Sequence, residues 1–436
     1  MAKIYPFLGL RYNLKKIKSL NRVICPPYDI ILPEEQKYYY HLHPANIIRL
    51  ELPQGKSPTK YEKAKKIYQD WLRRKILVQE EKPTFYLYQQ DFIYPVISSP
   101  LSGKKFSRTG FFAVLELTPW GKSIHRHEKT FLKPKLDRLQ LLSHLKANIS
   151  PIFVLFSDKE KKIASLLAQE KRKKPITQFT DSDGMKHQIW QITDKEKISL
   201  LQRVLASKNL YIADGHHRYE TALAYFHEQP LANSHQPSAK ILTYLCPLEE
   251  EGLLMLPTYR VIKGKWSDDS RTPNKTLEEV GGRKWEKWKK EKEKYFSFTL
   301  LKDKKEMFLQ LEENIALYFR DKYYLLKLKN EGKEVIKDLL PQSSLTYRQL
   351  PVAILHQFFL KDVEKEDLIY TQNAEEAIKL VNKGKGKIVF FYSSPKANIL
   401  KTFAQTGEIM PEKSTYFYPK VPTGLVIYSL ENTGIN

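Results

Sequence analysis

The run NLYIADGHHRYETALAYF, residues 209–226, changes its periodicity halfway along. Its first part is a short apolar run of strand character. Further on, Tyr219, Ala222, Leu223 and Phe226 recur at the spacing of one buried helix face. Between the two stand Asp214, Gly215, His216, His217 and Arg218. A strand that turns through glycine into a helix is an anion-binding geometry, because the N–H groups of the first helical turn lack partners and the helix dipole favours negative charge there. Gly215 can adopt a backbone conformation that other residues avoid, and it lets a ligand come close. Arg218 offers a planar fork to two phosphate oxygens. His216 and His217 offer hydrogen bonds or, when protonated, charge. Asp214 is placed to hold Mg²⁺ through water or to accept a ligand hydroxyl. The plainer reading makes Asp214 a helix cap and the histidines local packing. Adjacent histidines point in different directions, which argues against both ligating one metal. Phosphate binding is the reading favoured here.

A second cluster, HRHEKTFLKPKLDR (125–138), sets one carboxylate, Glu128, among His125, Arg126, His127, Lys129 and Arg138. Basic neighbours keep such a carboxylate ionised, which suits a group that takes the proton of a hydroxyl during phosphoryl transfer. A salt-bridged surface loop is the alternative. The loop lies upstream of the glycine turn and would face it across a cleft.

In RVICPPYDII (22–31) the Pro-Pro pair excludes helix and central strand, so Tyr28 and Asp29 belong to a fixed loop. With Arg49, whose fork would clamp a carboxylate, they are candidates for substrate contacts, although loop or core packing accounts for them equally well. KSTYFYPK (413–420) offers Lys413, Ser414, Thr415, Tyr418 and Lys420 to a pocket, with an exposed strand face as the bland alternative and a Ser-Lys nucleophile as a weak one. Neither G-x-x-x-x-G-K-[ST] nor a strand-to-helix G-x-G-x-x-G occurs, and VNKGKGKIVFF (381–391) reads as a turn before a strand.

The 436 residues suffice for two or three domains. TKYEKAKKIYQDWLRRKILV (59–78) reads as an amphipathic helix, TFYLYQQDFI (84–93) and FSRTGFFAVLEL (106–117) as strands, and GKWSDDSRTPNKT as a linker. The expected class is α+β, divided into 1–262, an irregular 263–300, and a smaller α/β unit at 301–436. The net charge of +24 favours anionic partners, but Lys and Arg are spread through solvated-looking runs such as KWEKWKKEKEK (284–294), so charge alone does not indicate nucleic acid. No apolar run reaches membrane-span length, MAKIYPFLGLRYN lacks a signal-peptide pattern, and Cys25 and Cys246 cannot form a disulfide framework. A cytoplasmic protein of open oligomeric state is the expectation.

VICPPYDII, HRHEKT with KLDR, SPIF, YIADGHHRYETAL, LPTYR and MPEKSTYFYPKVPTGLVI occur in the order of the bacterial and archaeal family called domain of unknown function 1015, which the chain resembles over nearly its whole length. Tyr259 of LPTYR departs from the family's usual histidine. The HE and DGHHR motifs also resemble those of free-serine kinases built on the ParB/sulfiredoxin-type fold. That resemblance implies a ParB-like nucleotide-binding core with added N-terminal elements. It makes Glu128 the catalytic base, with His216 and His217 beside it. It makes Asp214, Gly215, His216, His217 and Arg218 the phosphate turn, and Lys129, Thr130 and Arg138 are further candidates for phosphate contacts. It also implies Mg²⁺, at Asp214, and a nucleotide donor, ATP or ADP, with CTP open. The function so implied is phosphorylation of a small hydroxyl metabolite, free L-serine giving O-phospho-L-serine. The alternatives are a ParB-like nucleotide switch acting on DNA or a partner protein, and a regulator that senses without turnover. Residues 239–262 read as strands and turns, not as the helix-turn-helix of a ParB-type DNA binder.

Overall fold

Aromatic and branched residues alternating along Phe85–Ile93 and Lys105–Glu116 make two long strands, and the sheet of the first structural unit is built around them. The computed structural model describes residues 1–96, 101–128, 130, 132–228, 239–264 and 277–431. One unit comprises Met1–Phe92, Lys105–Leu254 and Pro419–Asn436, the other Ile93–Lys104 and Met255–Tyr418.

The first unit carries a nine-stranded mixed sheet. Its strands are β1 (Ile4–Tyr5), β2 (Phe85–Ile93), β3 (Lys105–Glu116), β4 (Ile124–His125), β5 (Ile152–Phe156), β6 (Thr177–Thr180), β7 (Lys186–Ile192), β8 (Leu210–Asp214) and β9 (Lys240–Pro247). They lie in the order β4-β8-β5-β9-β3-β2-β7-β6, with β1 against β3. The helices are α1 (Pro33–Leu42), α2 (Ile48–Glu51), α3 (Thr59–Arg73), α4 (Leu132–Leu145), α5 (Lys162–Glu170), α6 (Lys195–Ala206) and α7 (His216–Glu228). Successive strand residues point to opposite faces. Phe111, Ala113, Leu115, Ile152, Val154 and Ile212 therefore share one core with Leu166 of α5, Leu205 of α6 and Tyr219 and Ala222 of α7. On α3, Tyr61, Ala64, Tyr68 and Trp71 make the buried stripe that their spacing predicts. Each large apolar side chain so buried contributes about 1.5–3 kcal/mol. They join Leu10, Ile47, Ile48, Leu141 and Ile427 in a second core.

The second unit holds a six-stranded sheet ordered β11-β13-β12-β15-β10-β14. These strands are β10 (Tyr259–Lys263), β11 (Phe296–Leu301), β12 (Ile315–Phe319), β13 (Lys322–Leu328), β14 (Leu368–Thr371) and β15 (Gly386–Tyr392). Every pairing is antiparallel. Trp285, from α8 (Leu277–Lys292), packs with Phe296, Leu317 and Phe390. Tyr259, Val261 and Phe391 pack with Ala374 and Ala377.

The class is α+β, as expected, but several boundaries differ. Helix α3 stops at Arg73, Lys75 takes φ 52°, and Leu77–Gln79 pairs with Leu10–Tyr12 as a strand. Arg260 and Val261 lie in the second unit because β10 pairs with β14 and β15, so the division falls at Leu254/Met255 and not at 262. Residues 277–301 form α8 and β11 where an irregular segment was expected, and 265–276 lie outside the described residues. The second unit's antiparallel sheet makes it α+β, not α/β. Finally, the chain's last stretch belongs to the first unit: Thr423 pairs with Cys25, Ile427 with Leu10, and Tyr428–Ser429 with Ala147–Asn148.

Candidate functional site

Strand β8 delivers the glycine turn. Leu210–Ala213 is buried, the register against β5 slips between Ile212 and Asp214, and Gly215 follows at φ +91°. Helix α7 begins at His216, and Tyr219 N–H donates to the Gly215 carbonyl at 2.9 Å. A Cβ on Gly215 would stand 2.9 Å from Ile152 Cγ2 and 3.2 Å from Ile152 Cα. Gly215→Ala should therefore cost about 1–3 kcal/mol, through φ strain added to that clash. Denaturant unfolding measures it, and a loss below about 0.5 kcal/mol would show that the turn relaxes freely.

Strand β4 is only Ile124–His125, yet it fixes the second motif. It runs parallel to β8, with Leu210 opposite Ile124 and Tyr211 opposite His125, so the HRHE loop emerges beside the glycine turn. The N–H of His127 approaches His216 Nε2 at 3.4 Å, and the two rings meet edge to face at 4.8 Å. Both are buried. Burial lowers the His127 pKa to about 4 against the opposing effects of the Ile212 backbone and Asp214, and drives His216 well below the ordinary range, helped by His127. Both imidazoles are therefore neutral near pH 7, and His216 serves as an acceptor, not as the positive charge considered for it. His217, half-buried, is also lowered, by burial against the pull of Asp29 and Glu220.

The linkage has a definite sign. A histidine whose folded pKa is depressed contributes stability that is complete above about pH 6.5 and is lost as pH falls toward 4. In that window each such group should lower the unfolding free energy by about 1.4 kcal/mol per pH unit. Denaturation curves at pH 7.0, 6.0 and 5.0 test this; a flat profile would mean that the rings are solvated.

Asp214, its side chain 11% exposed, lies between two cations. Its Oδ2 accepts from Arg218 Nη2 at 2.5 Å, and its Oδ1 accepts from Lys420 Nζ. Burial opposes ionisation, but the charges of Lys420 and Arg218 outweigh it and hold the pKa at about 2. Arg218 also donates from Nη1 to Ser150 Oγ at 2.5 Å and to the Pro151 carbonyl. The fork expected to grip phosphate thus holds the turn to SPIF. With both oxygens of Asp214 engaged by cations, and with no cluster of three His, Cys, Asp or Glu residues among the described residues, Asp214 does not fit as a direct Mg²⁺ ligand.

Glu128 is half-buried, with Oε1 3.9 Å from His127 Nε2. Two of the cations expected around it, Arg126 and Arg138, are engaged by other carboxylates. Arg126 Nη1 donates to Glu220 at 3.1 Å. Arg138 donates to Asp137, and from Nη1 to the Glu51 carbonyl at 2.8 Å. Thr130 Oγ donates to Glu220 at 2.5 Å and Lys135 Nζ at 2.9 Å, so Glu220, a residue the motifs did not single out, fastens the HRHEKT loop to α7. Burial would raise the Glu220 pKa, but these hydrogen bonds and charges lower it. Lys129 lies outside the described residues.

Of the three candidates for substrate contacts, two reach this region. Tyr28 donates its N–H to Glu51 at 3.1 Å and lies under the Arg138 guanidinium, 4.3 Å from its ring centroid. Asp29 is exposed and acts electrostatically on both His217 and Arg218. Arg49 does not join them. It stacks on Tyr40 at 4.7 Å and donates to the Tyr40 carbonyl at 2.8 Å. Two positions apart on a helix is about 200° of rotation, so while Glu51 faces the site, Arg49 turns away.

The motifs assign no role to Glu51, Ser150 or Glu220, and they place Lys420 only in the pocket offered by 413–420. In the second unit Ser414 is fully buried with its hydroxyl on the Pro411 carbonyl, and Lys413 lies 5.6 Å from the Tyr370 ring, so the Ser-Lys nucleophile does not form. Tyr259 is a core residue against Phe391 at 4.8 Å.

A model of the family described as "Protein of unknown function (DUF1015)" matches residues 4–353. No curated protein matches the chain. Among solved structures, a conserved hypothetical protein from Pyrococcus furiosus aligns at 17% identity over 72% of this chain and 93% of that one, with TM-score 0.33. A free serine kinase in complex with AMP aligns at 16% identity over 70% and 86%, with TM-score 0.33. SbnI from Staphylococcus aureus, truncated at its C-terminus, aligns at 11% identity over 74% and 90%, with TM-score 0.37. Likenesses this distant establish no shared activity. Among the described residues no helix is long and apolar enough to cross a membrane.

Proposed function

The chain belongs to the DUF1015 family of proteins of unknown function, and from that premise we propose that it is a nucleotide-dependent kinase that phosphorylates the hydroxyl of a small metabolite, free L-serine, to give O-phospho-L-serine. The observation that carries the reading is the parallel pairing of β4 with β8, which sets the HE loop beside the DGHHR turn. We assign the nine-stranded unit to the ParB/sulfiredoxin type on the same motifs. Residues after the turn form β9 and β10, which is consistent with catalysis and not with a helix-turn-helix DNA binder.

In this reading the N–H groups opening α7 and its dipole receive the donor's phosphates, and Gly215 lets them approach. Asp214, Arg218 and Lys420 hold that turn rigid instead of touching the phosphate. Glu128 accepts the proton of the acceptor hydroxyl as the new phosphate bond forms. His127, neutral against His216, positions the loop that carries it. Mg²⁺ would arrive on the donor's own phosphates, since Asp214 is already paired. The cytoplasm, where nucleotide and free amino acid meet, is the proposed location.

Phosphorus NMR of purified protein with Mg²⁺, L-serine and ATP, ADP or CTP in turn tests the reading. A new phosphomonoester resonance that requires serine is the expected result. Donor cleavage without that product would favour a nucleotide switch, and no donor consumption would overturn the kinase.

A further inference from the structure

Below the glycine turn lies a cavity of about 60 Å³ lined by Glu51, Arg138, Asn148, Ser150, Arg218 and Thr221. One water needs roughly 10–15 Å³, so about four to six small polar atoms fit. The wall is polar and its groups are incompletely matched. Glu51 is 2% exposed. Its Oε1 accepts from the Tyr28 N–H, while Oε2 stands 4.0 Å from Arg138 Nη1, beyond hydrogen-bond length. Arg138 is shared with Asp137 and reaches Glu51 only as a long ion pair, and Arg218 is paired with Asp214, so neither guanidinium donates to the Glu51 carboxylate. On the donor side, the buried Nε of Arg218 has no hydrogen-bond partner. Asn148 uses Oδ1 to accept from the Leu242 N–H and leaves Nδ2 without a partner among the described residues.

A buried carboxylate with one oxygen lacking a donor, and a buried guanidinium N–H lacking an acceptor, are each costly, and one ligand with opposite charges at its ends would satisfy both. A water cluster would meet the hydrogen bonds but would bring no cation closer to Glu51 than Arg138 at 4.0 Å. We infer that this cavity binds the charged end of a small free α-amino acid, with Glu51 receiving the ammonium and Arg218 and Asn148 the carboxylate. Phosphate or a lone carboxylate fits less well, because Glu51 would repel it. Taking the amino acid to be the phosphate acceptor rests on the kinase reading above; the charge pattern of the cavity does not.

Isothermal titration calorimetry of the full chain tests the site with glycine, L-serine, acetate and methylammonium. Glycine and L-serine should bind saturably and at least tenfold more tightly than either single-charge fragment. Glu51→Gln should weaken them at least tenfold. Because Glu51 is buried and its replacement could unfold the chain, Thr221→Ile provides a second probe: it fills the cavity with hydrocarbon, leaves every charge in place, and should weaken binding as much with an unchanged melting temperature. Equal binding of acetate and glycine, no saturable binding, or wild-type affinity in Thr221→Ile would each overturn the site. The two readings fail separately. Amino-acid binding without phosphoserine from any donor keeps the site and removes the kinase. Phosphoserine formation with an unchanged KM for serine in Thr221→Ile keeps the kinase and removes the site.

Discussion

Glu128→Gln should slow phosphoserine formation by about 10²–10⁴-fold while leaving nucleotide affinity within about twofold of wild type. Glutamine keeps the size and shape of the side chain and removes the basic oxygen, so the loop beside α7 should hold its place. That loop is fastened by Glu220 to Arg126, Thr130 and Lys135, none of which the substitution touches. The two histidines that meet there are poor substitute bases. His127 is buried, with a pKa near 4, and is therefore a poor proton acceptor. His216 already uses Nε2 as an acceptor for the His127 N–H. The rate is read from phosphoserine formation under saturating donor and serine, and affinity from equilibrium binding of the donor. A rate within threefold of wild type would remove Glu128 from the chemistry. Equal loss of rate and of nucleotide binding would make it a binding residue.

Asp214→Ala should destabilise the first unit by about 3–5 kcal/mol, the largest single stability effect expected in the chain. The reason lies in what remains. The side chains of Arg218 and Lys420 are each only 10% exposed and would face one another without the carboxylate between them. The Arg218 contacts to Ser150 and Pro151 are neutral and cannot replace it. Lys420→Met in the Asp214→Asn background should recover part of the loss, because one stranded cation, Arg218, costs less than two. The sign with pH follows from the depressed carboxylate: its contribution is complete above about pH 4 and disappears as pH falls through 2. Urea unfolding of the four variants in a double-mutant cycle gives the coupling. A coupling energy below about 0.5 kcal/mol would place the cluster effectively in solvent.

Much of this site could be read from the chain, and the limits of that reading are physical. The strand, turn and helix at 210–228 were legible because apolar spacing changes from a continuous run to a 3.6-residue period across a glycine. Buried faces were legible for the same reason on α3 and on β2 and β3. Partner choice was not. A sequence gives Arg218 a fork but does not say that Ser150, Pro151 and Asp214 fill it. Nor does it show that a two-residue strand at Ile124–His125 will align one motif with the other. Arg49 and Glu51 were equally polar on paper; helix rotation alone decides which faces the site. Arg260 and Val261 read as the close of the first half because their neighbours in sequence do, whereas their strand partners lie more than a hundred residues later, in β14 and β15.

The Lys420–Asp214 contact joins residues 206 positions apart, and the greater part of the second unit, Met255–Tyr418, is synthesised between them. A ribosome making this chain will have released Asp214 and Arg218 long before Lys420 exists. The nascent first unit must therefore wait, one cation short at its glycine turn and with Leu10 and Cys25 lacking their partners at Ile427 and Thr423. Domains commonly fold in the order in which they emerge. Here the unit that starts first finishes last, and a message cut short before Pro419 yields a product whose glycine turn never gains Lys420.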